Sequence, residues 1–169
     1  MNVIDAINKR RSIRKFKDTP VEKEKIELLL RAAMQAPSGS NQQAWEFVVV
    51  QDKNTLEKLS TVQNWAMAMK NGALGIVVLG NKDYFTIEAL WQQDLSAATQ
   101  NILLTAVELE LGATWFGIAP FEDRMENIRN ILSLPDNTLP FNMLVLGYPE
   151  KNKDFEDRFK PEKVHYEKY

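Results

Sequence analysis

Four short apolar runs constrain the fold of this chain more than any other feature. They are rich in aromatic and β-branched side chains and are predicted as strands over Trp45 to Val50, Ile76 to Leu79, Thr114 to Ile118 and Met143 to Leu146. The runs are nearly continuous rather than alternating with polar residues, which is typical of a sheet that helices cover on both faces. The pattern predicts an α/β or α+β fold and does not choose between them.

Helical periodicity occupies the intervals between these runs. Thr19-Pro20-Val21-Glu22 has the form of a capping box with proline at the first helical position, and the apolar repeat after it predicts a helix that Pro37 closes. Further helices are predicted around Val3, Ile4 and Ile7 and over Asn54 to Leu59, much of Gln63 to Asn71, Gln92 to Leu111 and Glu122 to Leu132.

The helix from Gln92 to Leu111 is apolar around most of its circumference, so it is expected in a core or at a subunit interface. A chain of 169 residues can hardly bury such a helix completely, which favours a dimer interface. Gly112 follows it and is predicted as its C-terminal cap.

Composition excludes several classes of protein. The chain has no cysteine, hence no disulfide, thiolate metal ligand or thiol nucleophile, and a formal net charge of −2 does not suit a globally basic nucleic-acid binder. No Gly-rich phosphate loop is present, and the single histidine, His165, lies in the charged tail from Glu150 to Tyr169. We expect one domain over residues 1–169, in a cytoplasmic protein without a targeting or membrane segment. The charged tail is expected to be either frayed or fastened to a second subunit or an anion.

Two basic segments are candidate anion sites. In an extended chain Arg10, Ser12 and Arg14 project to one side, and two guanidinium forks with a hydroxyl would suit one phosphate. The alternative is a solvated basic turn. Arg158 and Lys160 are also two residues apart, and for them the alternative is an exposed charge pair.

Two further segments could bind a flat ligand. The loop Pro37 to Gln43 concentrates hydrogen-bonding side chains and could hold the polar edge of a heterocycle through Ser38, Ser40 and Asn41, or be only a turn. Gly117 could let a ligand approach the backbone closely, or mark a strand bulge.

Taken in order, four motifs resemble the nitroreductase family of FMN-dependent oxidoreductases: Arg10 to Phe16, Ala36 to Trp45, Asp94 to Leu111 and Gly147-Tyr148-Pro149. The resemblance implies an α+β fold, in which helices flank a central, mostly antiparallel sheet. It also implies an intertwined homodimer with FMN at the subunit interface.

The same resemblance assigns the cofactor contacts. The FMN phosphate and ribityl end would contact Arg10, Ser12 and Arg14, with Arg11 at the neighbouring backbone and with Arg158 and Lys160 returning to the phosphate. The flavin edge would contact Pro37, Ser38, Gly39 and Asn41 of the other subunit. The ring would lie along Trp115 to Ala119, including Gly117 and Ile118.

Some positions depart from the family pattern or leave it open. Ala44 stands where family members often have proline, and a common asparagine matches either Asn64 or Asn71. The stretch Asn81 to Trp91 is brief where longer members carry an inserted helical segment, so a more open pocket is expected.

The implied chemistry is ping-pong. NADH or NADPH gives a hydride to flavin N5, and a nitroaromatic or quinone then accepts electrons. Arg14 or Lys70 is the candidate for stabilising negative charge at N1 and O2. The alternatives are a flavin enzyme of the same fold with other chemistry, such as reductive dehalogenation or flavin fragmentation, and a non-catalytic module that binds an anion or nucleic acid.

Overall fold

A computed structural model describes all residues from Met1 to Tyr169. Four strands form one antiparallel sheet in the order β1-β2-β4-β3, where the strands are β1 (Trp45–Val50), β2 (Leu74–Asn81), β3 (Gly112–Gly117) and β4 (Thr138–Gly147). The helices are α1 (Val3–Lys9), α2 (Lys23–Met34), α3 (Lys53–Ser60), α4 (Trp91–Glu108) and α5 (Glu122–Leu132). Since every strand pair is antiparallel, the α+β expectation is confirmed.

The central strands are buried on both faces, as their continuous apolar pattern predicts. In β4, Leu144 and Leu146 pack into one core with α2 and α4, while Met143 and Val145 pack into a second core that includes α3 and α5. Because successive strand residues point to opposite faces, an apolar residue at every position supplies both cores at once.

The helix α2 begins later than the capping box predicts. Its first residue is Lys23, and the Thr19 side chain does not cap it. The carboxylate of Glu22 bonds to the Tyr148 hydroxyl, at 2.8 Å from each oxygen, instead of completing a capping box. The predicted start at Pro20 is therefore wrong, because a tertiary contact competes for the acidic side chain.

The helix predicted over much of Gln63 to Asn71 is a 3-10 helix, Ala66–Asn71. The prediction for Gly112 is wrong. Gly112 does not cap α4. Glu110 takes the left-handed conformation after the helix, with φ of 62°, and Gly112 is the first residue of β3. An added Cβ at Gly112 would lie 2.7 Å from the Cβ of Ile13, so glycine is required there for close packing.

None of the helices combines the length and hydrophobicity needed to cross a membrane.

Candidate functional site

The segment from Arg10 to Phe16, which we call the arginine link, runs along the outer edge of β3. Ser12 pairs with Ala113 in a parallel bridge, and the backbone N–H of Ile13 donates to the carbonyl of Ala113 at 3.0 Å. The buried Ile13 side chain fills the space beside Gly112. These contacts fasten the link to the outer edge of β3 without making it a further strand of the sheet.

The chain that leaves β4 then pairs with this link. The N–H of Lys17 donates to the carbonyl of Tyr148 at 2.8 Å, and the N–H of Glu150 donates to that of Lys15 at 3.2 Å. The beginning of the tail (residues 150–169) is thus brought beside the arginine link, which explains how residues more than 130 positions apart reach one region.

Three guanidinium groups from the two chain ends influence one another electrostatically. Burial lowers the pKa of Arg10 below its ordinary value, and the positive charges of Arg11 and then Arg158 lower it further. Neither Arg10 nor Arg11 forms an ion pair with a carboxylate, while Arg158 bonds to Glu156 at 3.1 Å. Because the positive charges of Arg10 and Arg11 are not compensated by a paired carboxylate, this region favours an anion.

Arg11 keeps one donor unused. Its Nε donates to the carbonyl of Asp154 at 3.0 Å and its Nη1 to that of Arg10 at 2.7 Å, whereas Nη2 is buried and has no hydrogen-bond partner. A buried guanidinium nitrogen without an acceptor is costly to leave unpaired, and an oxyanion is the acceptor that a planar guanidinium suits best.

Two adjoining cavities of about 500 Å³ each open beside the link. Arg10 and Arg11 line one of them together with the C-terminal half of α4. Arg14 is exposed and lines the other with Lys15 and the start of the tail. Lys160 is exposed and forms no ion pair.

The loop from Pro37 to Gln43 precedes β1 and has an unusual backbone. Ser40, Asn41 and Gln43 all adopt left-handed conformations, with φ of 50°, 53° and 46°. Pro37, Ser40 and Asn41 are exposed, while Ser38 and Gly39 are half-buried, and the Ser38 hydroxyl accepts from the N–H of Gln43 at 3.1 Å. The loop therefore presents part of its polar surface outward.

Asp94 and Gln42 hold this loop in place, and the sequence assigned neither of them an individual role. Asp94, in the first turn of α4, accepts hydrogen bonds from the N–H of Gly39 and from the side chain of Gln42. The available signal was an acidic residue on the otherwise apolar face of α4, which buried Leu95 and Ala98 continue.

Gly117 ends β3 on the surface. A Cβ added there would meet no atom within 4 Å, so the space beside its backbone is open. Its carbonyl accepts from Arg124 Nη1 at 3.1 Å and, more weakly, from Gln63 Nε2 at 3.4 Å, two residues that no sequence motif indicated. Trp115, two residues earlier, is half-buried in an edge-to-face contact with Phe141.

The backbone N–H groups of Ile118 and Ala119, which follow Gly117, already form hydrogen bonds within the chain. The N–H groups of Ile118 and Ala119 both donate to the carbonyl of Phe141, at 3.1 and 3.0 Å. The segment that follows Gln63 carries the exposed residues Asn64, Lys70 and Asn71. No contact within the chain distinguishes the two asparagines.

The loop and the arginine link lie at opposite edges of the sheet. The loop leads into β1 and the link flanks β3, and these are the two edge strands. Three interstrand spacings of about 4.8 Å separate the edges by about 14 Å, before the link itself is added. The two candidate contact regions of one chain are therefore separated by the width of the sheet.

Tyr148 joins three elements behind the link. Its hydroxyl accepts from Lys25 Nζ at 2.7 Å and donates to Glu22, and Lys25 Nζ also donates to the carbonyl of Leu109 at 3.2 Å. The hydrogen bond with Tyr148 raises the pKa of Lys25, while the backbone N–H of Glu22 and then Tyr148 lower the pKa of Glu22. These contacts fix the exit of β4 against the beginning of α2 and the end of α4.

Comparison with known proteins gives a consistent result over the whole chain. The sequence model described as "Nitroreductase family" matches residues 7–92. A protein of Methanothermobacter thermautotrophicus named "Putative NADH dehydrogenase/NAD(P)H nitroreductase" is 42% identical over 169 residues, covering 100% of this chain and 88% of that protein.

Solved structures that are similar to this chain over nearly its whole length include further proteins with oxidoreductase names. The crystal structure of a "Putative NADH Oxidase" from Clostridium acetobutylicum has a TM-score of 0.95 and 48% identity, covering 98% of this chain and 100% of that one. An FMN-dependent nitroreductase from Clostridium difficile R20291 has a TM-score of 0.91 and 34% identity, covering 98% and 99% of the two chains.

Proposed function

Because this chain belongs to the nitroreductase family, we propose that it is an FMN-dependent oxidoreductase that uses NADH or NADPH to reduce a flat electrophilic acceptor, such as a nitroaromatic compound or a quinone. The observation that carries the proposal is the pairing of the tail with the arginine link, which brings Arg158 within electrostatic range of Arg10, while neither Arg10 nor Arg11 pairs with a carboxylate. One FMN-binding domain would span residues 1–169.

The donor chemistry of the arginine link fits a phosphate monoester. The buried, unpaired Nη2 of Arg11 and the partly buried guanidinium of Arg10 offer donors that no group of the chain satisfies. Arginine presents such donors in a planar fork that matches phosphate oxygens. Ser12 and Arg14 would extend the contacts towards the ribityl end, and Arg158 and Lys160 would approach from the tail.

We propose a homodimer in which each flavin contacts both subunits. Within one chain the loop Pro37 to Gln43 and the arginine link occupy opposite edges of the sheet, so a loop contact to the same flavin fits better from a second copy. Exposed apolar side chains on α1, namely Val3, Ile4 and Ile7, and half-buried ones on α4 offer a surface for that copy.

When bound, FMN supplies a ring that accepts a hydride and passes the electrons to the acceptor. The open backbone at Gly117 leaves room for a flat ring, and the Arg124 and Gln63 contacts hold its carbonyl in place. Arg14 and Lys70 are exposed and free of ion pairs, so either is available to stabilise negative charge at flavin N1 and O2.

The test is FMN retention by the purified protein. The wild-type protein is expected to be yellow or to become so with added FMN, and anaerobic NADH or NADPH is expected to bleach it. Arg10→Ala with Arg14→Ala should weaken FMN binding by about tenfold to a hundredfold for each arginine–phosphate hydrogen bond removed, since a charged hydrogen bond contributes about 1.5–3 kcal/mol.

The matched control is Arg31→Ala, which removes an exposed arginine paired with Glu27 on α2. It should leave the FMN dissociation constant within about twofold of wild type, because exposed pairs contribute little. A colourless protein that does not retain FMN would overturn the flavin proposal. Binding of inorganic phosphate without FMN would favour the anion-binding module instead.

The dimer is tested separately. Size-exclusion chromatography with light scattering should give a mass near twice 19.4 kDa. A monomer that binds FMN with full affinity would contradict the shared site while leaving the flavin proposal intact.

A further inference from the structure

The Asp94 carboxylate is buried and has no cation partner. The residue is 5% exposed and lies in the first turn of α4. One oxygen accepts from the N–H of Gly39 at 2.9 Å, and the other accepts from Gln42 Nε2 at 2.6 Å. Both partners belong to the loop from Pro37 to Gln43, so this single carboxylate ties the loop to the helix.

Gln42 extends the connection and fixes its polarity. It is 8% exposed, and its Oε1 accepts from the N–H groups of Thr86 and Ile87 at 2.9 and 3.0 Å. A flipped amide would place NH₂ against those two donors and oxygen against the carboxylate. The arrangement of donors and acceptors therefore permits one orientation of Gln42 only.

The loop needs such external support. Three of its non-glycine residues have φ between 46° and 53°, and such conformations persist only when their surroundings determine them. Gly39 is seated tightly, because an added Cβ would lie 2.5 Å from Leu90 Cδ1 at the beginning of α4. The loop is thus pressed onto this junction and held there by Asp94.

We propose that Asp94 and Gln42 are a positioning pair that holds the loop in the conformation in which it meets the flavin. This inference rests on the proposed function, since it assumes that the loop contacts FMN. The pair itself is buried and acts through Gly39 and the residues that follow it. It sets the geometry of the exposed Ser40 and Asn41 rather than contacting the cofactor.

Exchanging the two functional groups tests the pair. Asp94→Asn preserves the shape but replaces one accepting oxygen by an NH₂, so either Gln42 Nε2 or the N–H of Gly39 faces a donor, and Gln42→Glu places two carboxylates together. The combined variant, Asp94→Asn with Gln42→Glu, restores the match. The new amide can donate to the new carboxylate and still accept from Gly39, and that carboxylate can still accept from Thr86 and Ile87.

The first readout is the FMN dissociation constant, measured by quenching of flavin fluorescence on binding. Each single variant should weaken binding by about tenfold or more, the effect of leaving a buried polar group unpaired, while the combined variant returns to within about threefold of wild type. Asp123→Asn is the matched control, because Asp123 is an exposed carboxylate in the first turn of α5. It should leave FMN affinity unchanged.

The second readout is amide hydrogen exchange in the cofactor-free protein. Exchange should accelerate in residues 37–43 of the single variants, remain unchanged in α3 and α5, and recover in the combined variant. A general loss of folding would accelerate exchange everywhere and would not be reversed by restoring one hydrogen-bond pattern.

The outcomes separate the two proposals. If the wild type binds FMN and the single variants bind it equally well, or if the combined variant is as weak as the singles, the positioning role is refuted. If the wild type does not bind FMN, the proposed function fails and takes the cofactor role of the pair with it.

Discussion

Two glycines of β3 should respond in opposite ways to the same substitution. At Gly112 an added Cβ would lie 2.7, 2.8 and 2.9 Å from three carbon atoms of Ile13, about 1 Å inside the usual carbon–carbon contact distance. One of those atoms is the Ile13 Cβ, and Ile13 is fixed by hydrogen bonds to Ala113 and Thr114. The backbone of the arginine link must therefore shift.

Overpacking of this kind costs about 1–3 kcal/mol, and in a chain of this length 1 kcal/mol corresponds to about 2–4 °C in Tm. Gly112→Ala is expected to lower the Tm of the cofactor-free protein by about 2–12 °C. Because the link moves, FMN affinity should fall as well.

Gly117→Ala is the matched control in the same strand. Nothing lies within 4 Å of its added Cβ and its φ is not positive, so alanine enters without strain. The reduced freedom of the unfolded chain should stabilise the fold by about 0.4–1 kcal/mol. If a flat ring approaches the backbone there, FMN affinity should nevertheless decrease.

Thermal melting of both variants, with and without FMN, measures the two effects independently. A Gly112→Ala protein whose Tm stays at the wild-type value would refute the packing argument. A Gly117→Ala protein that is as unstable as the Gly112→Ala protein would contradict the open space beside the Gly117 backbone.

Two further predictions concern pH. Tyr148→Phe removes the hydroxyl shared by Lys25 and Glu22 and should lower the Tm at pH 7. Because the pKa of Glu22 is lowered in the folded protein, its contribution to stability is present above its ordinary pKa of 4.5 and is lost as the pH falls through the folded value. The difference in Tm between Tyr148→Phe and wild type should therefore shrink in acid. Asp52→Ala removes the N-cap of α3, where the carboxylate accepts from both the hydroxyl and the N–H of Thr55 at 2.8 Å, and should also lower the Tm. The Thr55 hydroxyl and then its N–H lower the pKa of Asp52 from its ordinary value of 3.8, so this loss should also shrink as the pH falls through the folded value. Melting curves across pH that show constant differences would contradict both arguments.

Local patterns located most elements to within a few residues. The strand Trp45–Val50 and the helix Glu122–Leu132 have the predicted bounds, because a contiguous apolar run and a helical apolar repeat each depend on neighbouring residues. The strands β2 and β4 are longer than predicted, since residues such as Asn81 and Thr138 pair in the sheet despite side chains that do not indicate a strand.

The ends of helices were less predictable where distant residues intervene. Glu22 could complete a capping box, but Tyr148, 126 positions away, engages its carboxylate. Gly112 has the right place and identity for a helix cap, yet packing against Ile13 explains the glycine and Glu110 makes the left-handed turn. In both cases a contact distant in sequence decided between two local options.

The sequence by itself determined the strand segments, the two-sided burial of the sheet, the family resemblance and the candidate cofactor-binding side chains, because each depends on residue type and spacing along the chain. Only the tertiary structure decided which of those side chains lie together. The tail pairs with the arginine link, which brings Arg158 within electrostatic range of Arg10. The loop lies at the opposite edge of the sheet, where the N–H of Gly39 donates to Asp94. The reason is that strand order and hydrogen-bond polarity are properties of the packed molecule, which no short segment of sequence encodes.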